Sequence, residues 1–362
     1  MIKIARAEAY LVDIAVETER TDAVQSFIKQ ETIFVELHTS DGNQGIGYSY
    51  TIGTGGRAIL SMLREHLLPL LLGADPTMVE ALWFRLFAAT RATTVGAITS
   101  LALAAVDIAL WDLRCRAAGQ PLWRLAGGFR QSVPLYDTEG GWLHLSTDAL
   151  VAGALHAKES GWSGIKIKVG KPALHEDVER LRAVRDAVGP GFAVMVDANQ
   201  SMTLAEAKAR AKAYEPFGLT WFEEPMPADD VAAHARLVAQ TSIPIAVGES
   251  LYSIGQFREY LVGGAASIVQ VDVARVGGIT PWLKVAHMAE GFNVAVCPHF
   301  LMELHVSLVA AIPNGRYVEH IPQLRALTTK EVRIENGHAV ADDTPGIGIH
   351  WNRDAIDRGR AA

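Results

Sequence analysis

From residue 133 to residue 319 the chain alternates short apolar runs with stretches whose apolar residues recur at helical spacing. The runs occupy residues 133–137, 165–169, 192–197, 220–223, 243–249, 267–272, 294–299 and 316–319. Segments such as 203–214 and 232–240 fill the gaps with apolar positions three or four apart, the mark of an amphipathic helix. A parallel strand reaches its neighbour only through a crossover, and strand, helix and two turns together take roughly 20–30 residues. Eight such repeats predict a (β/α)8 TIM barrel.

The rhythm before Gly127-Gly128 is different. Residues 2–14 and 32–39 are rich in β-formers, and Asp41-Gly42-Asn43 is a hairpin signal leading into a third strand at 45–50. The polar stretch 17–30 has no strong period and reads as a long loop of the kind that often forms a lid. Helical spacing follows at 57–72, 76–89 and 99–118. The tail, 331–351, is β-like with an Asn336-Gly337 turn, and we expect it to rejoin the first unit. The expected division is an α+β capping domain over residues 1–125, with 325–362 returning to it, and a barrel over 126–324.

Composition narrows the function classes. Of 362 residues, 49% are apolar and 20% charged, as in ordinary globular chains, and the length suits two structural units. A net charge of −7 argues against nucleic acid as a partner. The most apolar stretch, 101–110, is interrupted by Asp107 and followed by Asp112 and Arg114, so no membrane span is expected. No signal-type apolar core follows Lys3 and Arg6. Two cysteines far apart, Cys115 and Cys297, fit reduced thiols in a cytoplasmic enzyme better than a disulfide framework.

Candidate chemistry lies at the carboxyl ends of the apolar runs, where a barrel gathers its reactive groups at one mouth. Lys168, Asp197, Glu223, Glu249, Asp272, His299 and Glu319 follow one another at steps of 29, 26, 26, 23, 27 and 20 residues. Asp197, Glu223 and Glu249 thereby fall at one height on consecutive strands. Three anions so placed repel, and a hard divalent cation with oxygen preference, Mg2+, relieves the repulsion. Independent helix caps would explain acids after strands but not their equal spacing. Glu224 should face away from Glu223, and Asn199 is a candidate neighbour of the metal or substrate.

Lys166 and Lys168 share one face of their strand and point into the same mouth. A lysine crowded by another ammonium and a metal has a depressed pKa, which suits Lys168 to be a base. Lys166 reads either as a second participant or as an ion-pair partner of the acids. A carboxylate on one imidazole nitrogen fixes the tautomer and leaves the other nitrogen for substrate, so Asp272 and His299 read as a dyad. Glu319, if protonated, would donate to or orient a substrate oxygen. Arg20, Asp22 and Gln25 in the polar loop, and His144, are candidates for distal substrate hydroxyls. Gly53 to Ala58 matches a loose dinucleotide pattern but lacks the surrounding parallel unit and distal acid. His299, Glu303 and His305 do not converge as a zinc set would.

These residues resemble the enolase superfamily, mandelate racemase subgroup, across nearly the whole chain. The matching motifs are Lys-Ile-Lys at 166–168, Val-Asp-Ala-Asn-Gln at 196–200, Phe-Glu-Glu-Pro at 222–225, Gly-Glu-Ser at 248–250, Asp272, and Pro-His-Phe at 298–300. The segments 136–144, 275–281 and 298–305 look closest to acid-sugar dehydratases of the L-talarate/galactarate type. The resemblance implies one Mg2+ per subunit on Asp197, Glu223 and Glu249, and acid/base roles for Lys168 and the His299–Asp272 dyad. It implies a small carboxylate substrate and a homo-oligomer, often an octamer. The expected reaction is dehydration of an acid sugar to a 2-keto-3-deoxy acid. The alternative is racemisation or epimerisation of a 2-hydroxy acid by the same two bases.

Overall fold

The computed structural model describes residues 2–361. It opens with an antiparallel meander: β1 (Ile4–Ala15), β2 (Lys29–Thr39) and β3 (Gln44–Thr51), in that spatial order. After β3 come α1 (Gly56–Ser61), a π-helical turn (Met62–Leu67) and α2 (Leu68–Leu71), then α3 (Val79–Ala89), α4 (Ala97–Ala117) and α5 (Leu122–Leu125). The loop between β1 and β2 is long, as its composition suggests.

Helix α4 is buried along most of its length because it lies between the meander and the barrel. Its small residues Ala105 and Ala109 meet Gly45 and Gly47 of β3, where an added Cβ would lie 2.4 Å and 2.1 Å from helix carbonyl oxygens. Its two buried acids tie the layers together. Asp107 accepts from the Thr280 amide (2.8 Å) and hydroxyl (2.7 Å). Asp112 accepts from the amides of Ile46 and Ile347, both at 3.0 Å.

The barrel runs β4 (Ser132–Asp137), α6 (Thr147–Glu159), β5 (Gly164–Lys168), α7 (Leu174–Val188), β6 (Ala193–Asp197), α8 (Leu204–Tyr214) and β7 (Trp221–Glu223). It continues through α9 (Val231–Val238), β8 (Ile245–Val247), α10 (Ile254–Val262), β9 (Ile268–Val269), α11 (Ile279–Gly291), β10 (Ala295–Val296), α12 (Met302–Ala311) and β11 (Val318–His320). Neighbouring strands pair in parallel. β11 pairs with β4, and a parallel bridge from Val296 to Gly315 closes the ring. Tyr136, Met195, Trp221, Ala246, Ile268 and Cys297 fill its interior as a separate core. Among the described residues, no helix is long and apolar enough to cross a membrane.

Two features differ from the sequence expectation. The eighth strand is followed by a short 3-10 turn (Arg325–Leu327) rather than a barrel helix. The tail hairpin, β12 (Arg333–Glu335) and β13 (His338–Val340), does not join the meander. It pairs antiparallel with the start of β4, with Val340 opposite Ser132, at the end of the barrel away from the reactive residues. The tight turn explains the docking: Gly337, at φ +75°, presses on Gly161 where any Cβ would lie 1.8 Å from a carbonyl oxygen. Only beyond the hairpin does the chain return to the first unit. Trp351 meets Phe34 and Tyr48 edge-on at 5.0 and 5.4 Å, Arg353 pairs with Glu36, and α13 (Arg353–Gly359) lies against β1.

The α4–β3 approach yields a stability prediction. Gly47→Ala forces the helix away from the sheet and should cost about 1–3 kcal/mol. Gly191→Ala, which meets nothing within 4 Å, should stay within about 0.5 kcal/mol of the parent. Urea denaturation of both variants checks this; equal midpoints would show that the contact has slack.

Candidate active site

Each strand register delivers its last inward residue to the same mouth. Lys168 pairs with Asp197, and Asp197 with Glu223, as direct parallel partners, so these three stand at one level. The later strands leave the ladder early, and their ends are carried upward by special backbone. Gly248, at φ +147°, sits against the Gln270 backbone, where a Cβ would lie 2.8 Å away, and turns the chain so that Glu249 faces inward. Carboxylate oxygens of Asp197, Glu223 and Glu249 all lie within 4.8 Å of one another.

The surroundings assign these acids different neighbours. Lys166, fully enclosed, sets its Nζ 2.9 Å from Glu223, 2.8 Å from Glu319 and 3.6 Å from Asp197. Lys168 donates to Asp197 and, at 3.0 Å, to the Asn199 side-chain oxygen; the Trp142 ring lies 5.3 Å from its Nζ. Trp221 donates to the second Glu223 oxygen at 2.9 Å. Glu249 receives Arg275 Nη1 at 3.3 Å on one oxygen, while its buried Oε2 has no hydrogen-bond partner. An uncompensated carboxylate oxygen, aimed where two other carboxylates converge, is what a cation ligand requires. The trio therefore fits a hard divalent cation.

On the opposite flank, His299 Nδ1 lies 2.9 Å from Asp272 Oδ2 and its Nε2 3.5 Å from Glu249 Oε2. Burial disfavours an ionised Asp272, but the His299 hydrogen bond and nearby Arg275 outweigh it and hold the pKa down at about 2. An ionised carboxylate only accepts, so Nδ1 carries the proton and Nε2 presents a lone pair toward the trio.

Electrostatics bear on both lysines and on Glu319. Burial pulls Lys168 down, yet the Asp197 carboxylate overrides it and the net shift is upward. Its nearest charge is the Asp197 carboxylate, with the Lys166 ammonium opposing it. Glu319 was expected to donate if protonated. Burial does favour its acid form, but Lys166 outweighs burial and holds it well below the carboxylate range. Its oxygens are already taken by Lys166, the Thr138 hydroxyl (2.7 Å) and the Phe300 amide (2.8 Å). Lys166 is likewise held far above its ordinary value by Glu223 and Glu319 in spite of burial. It is the ion-pair hub of Glu223 and Glu319. Glu223, crowded by burial and then by Asp197, rises to about 7.

The peripheral candidates divide. Asn199 joins the site through Lys168, and its amide donates to Asp197 at 2.9 Å. Asp22 is buried near Lys168, although its Oδ1 is used by the amides of Val24 and Gln25. Arg20 is committed to Glu139 and to Gln323 (3.2 Å), so its guanidinium braces the loop against the mouth. His144 bonds Thr21 at 2.8 Å on the exposed side of that brace. The Gln25 side chain points to solvent, and the residue joins the loop turn only through its backbone amide and carbonyl, so it does not reach the site. Glu224 faces outward, as alternation required, onto Gln200 and Ser250. His305 is structural: its Nε2 accepts from the Val273 amide, and burial pushes its pKa down to about 4.

Two neighbours escaped the sequence reading. Arg275 bonds Glu249, and the Tyr50 hydroxyl, from β3 in the first unit, donates to Asp272 at 2.7 Å. Neither lies at the carboxyl end of a barrel strand, so the barrel spacing carried no signal for them. Lys166 generates a prediction. In the presence of chelator, Lys166→Met strands buried Glu223 and Glu319 without their ammonium and should cost about 3–5 kcal/mol. Those carboxylates would bind protons more tightly folded than unfolded, so the deficit should grow from pH 5 to pH 8. Denaturation at both pH values tests it; a small, pH-independent loss would contradict the ion-pair assignment.

Comparison with known proteins finds relatives along nearly the whole chain. Residues 7–127 match the mandelate racemase/muconate lactonizing enzyme N-terminal domain, and residues 149–355 the enolase C-terminal domain-like family. An L-talarate/galactarate dehydratase of Salmonella typhimurium is 38% identical over 89% of this chain and 81% of its own. A 3,6-anhydro-alpha-L-galactonate cycloisomerase of Streptomyces coelicolor is 36% identical over 99% of both chains. The crystal structure of L-talarate dehydratase from Polaromonas sp. JS666, complexed with Mg and L-glucarate, superposes with a TM-score of 0.95 at 36% identity, covering 100% of this chain and 98% of that one.

Proposed function

This chain belongs to the mandelate racemase/muconate lactonizing enzyme family of the enolase superfamily, and from that premise we propose that it is a Mg2+-dependent acid-sugar dehydratase. The observation that carries the reading is the convergence of three carboxylates, with Lys168 on one flank and His299 on the other. Asp197, Glu223 and Glu249 would hold the ion, and the unpartnered Glu249 oxygen supports that assignment. When bound, Mg2+ supplies Lewis-acid stabilisation of the negative charge that develops on a substrate carboxylate as its α-proton leaves.

The chain's own groups then divide the proton work. Lys168 or His299 Nε2 takes the α-proton, according to the stereochemistry presented. Lys168 can do so only as the free amine, so its pairing with Asp197 must relax as substrate and metal bind. The electron pair of the broken C–H bond forms a carbon–carbon double bond as the β-C–O bond breaks. The departing hydroxyl takes a proton from His299 in its imidazolium form or a neighbouring acid and leaves as water. The resulting enol tautomerises to a 2-keto-3-deoxy acid. Lys166 stays cationic throughout and adds electrostatic stabilisation at fixed geometry.

Racemisation or epimerisation remains the second reading, since Lys168 and His299 on opposite flanks also suit two-base proton transfer. An aldarate panel including galactarate and L-talarate, incubated with Mg2+ in deuterium oxide, separates the two. Accumulation of a 2-keto acid is the expected result; deuterium in recovered substrate without keto product would favour the isomerase, and neither would refute both. Lys168→Ala and His299→Asn should each lower turnover on their substrate by about 10²- to 10⁴-fold with the fold intact. Chelation should abolish activity and Mg2+ restore it; activity that survives chelation would rule out the metal role.

A further inference from the structure

We propose that Tyr50 is a positioning residue for the His299–Asp272 dyad, so that the N-terminal domain helps to aim a base carried by the barrel. The proposal rests on the acid/base reading of His299 given above. Asp272 is saturated. Its Oδ1 accepts from the amides of Ala274 (2.8 Å) and Arg275 (3.0 Å), and its Oδ2 from the Tyr50 hydroxyl (2.7 Å) and His299 Nδ1 (2.9 Å). Four donors on a carboxylate's roughly four lone-pair sites fix its plane. Three of them come from the barrel and the fourth from β3.

Tyr50 acts a second time through its ring. It stacks on Phe300 at 4.7 Å, and Phe300 stacks on the His299 imidazole at 5.3 Å, with interplanar angles of 29° and 15°. Phe300 itself adopts φ +56°, and its amide is held by Glu319. One residue of the capping sheet thus supports both the dyad's hydrogen bond and the face of its imidazole. Among the described residues, Asp272 is the Tyr50 hydroxyl's hydrogen-bond partner, and burial, outweighing nearby Arg275, keeps the phenol protonated as a donor. Without that hydroxyl, Oδ2 keeps a lone pair with no donor and the carboxylate gains freedom to turn, carrying His299 Nε2 away from its aim at the trio. Lys168, on the far side, has no link to Tyr50.

The test uses Tyr50→Phe, Asp272→Asn and the double variant in the full chain. Phenylalanine keeps the ring and its stack, so one oxygen is lost. With histidines labelled by nitrogen-15, and the His299 signals assigned by their absence from His299→Asn, the ring resonance should be sharp in the parent. It should broaden or double in Tyr50→Phe under conditions where circular dichroism shows an intact fold. In deuterium oxide with Mg2+, α-proton exchange on the two C2 epimers of an aldarate supplies the second readout. Tyr50→Phe should slow the epimer served by His299 on the order of tenfold and leave the epimer served by Lys168 unchanged. In the Asp272→Asn background it should have no further effect. Equal slowing of both epimers, or a His299 resonance as sharp as in the parent, would overturn the proposal. A parent that neither exchanges an epimer nor forms keto acid faults the acid/base reading, and the resonance alone then decides the role of Tyr50.

Discussion

The site is governed by the cost of crowding buried carboxylates. Asp197, Glu223, Glu249, Asp272 and Glu319 are all buried around one mouth. Anions in such a place must be paired, protonated or bound to a cation. Lys166 compensates Glu223 and Glu319, Lys168 compensates Asp197, four hydrogen-bond donors including His299 Nδ1 hold Asp272, and Arg275 reaches Glu249. Burial and Asp197 still raise Glu223 to about 7 despite Lys166, and one Glu249 oxygen has no donor, both where the trio converges. The same charge arithmetic separates a lysine locked in place from one able to exchange partners.

The rest of the fold holds these groups against their own repulsion. Parallel register sets Lys168, Asp197 and Glu223 level with one another. Helix α4 joins the meander to the barrel through Asp107, whose carboxylate caps the start of α11. The loop between β1 and β2 is braced over the mouth by Arg20 on Glu139 and by Phe27 edge-on to Trp142 at 5.6 Å, the ring that lies beside Lys168. The N-terminal unit thus shapes both flanks of the site.

Much of this could be read from the residues alone, because strand-end chemistry in a parallel barrel has a period and the period survives in sequence. Lys168, Asp197, Glu223, Glu249, Asp272 and His299 were all legible by that route. What it could not reveal depends on contacts between distant segments. Tyr50 lies 222 residues from Asp272 and looks like any inward residue of a strand. The ionised state of Glu319 follows from Lys166 reaching across the barrel, and Gln25 points outward because Asp22 closes the loop turn with its own side chain. The tail hairpin looked like a returning strand; its choice of β4 rests on a glycine contact that composition does not encode.

The central claim is that one divalent ion sits among Asp197, Glu223 and Glu249, between Lys168 and His299. Anomalous diffraction from crystals soaked in Mn2+, a Mg2+ mimic visible at its absorption edge, tests it most directly. The account predicts one peak within about 2.0–2.3 Å of an oxygen from each of the three carboxylates. A peak elsewhere, or bonded to fewer than three of them, would contradict it.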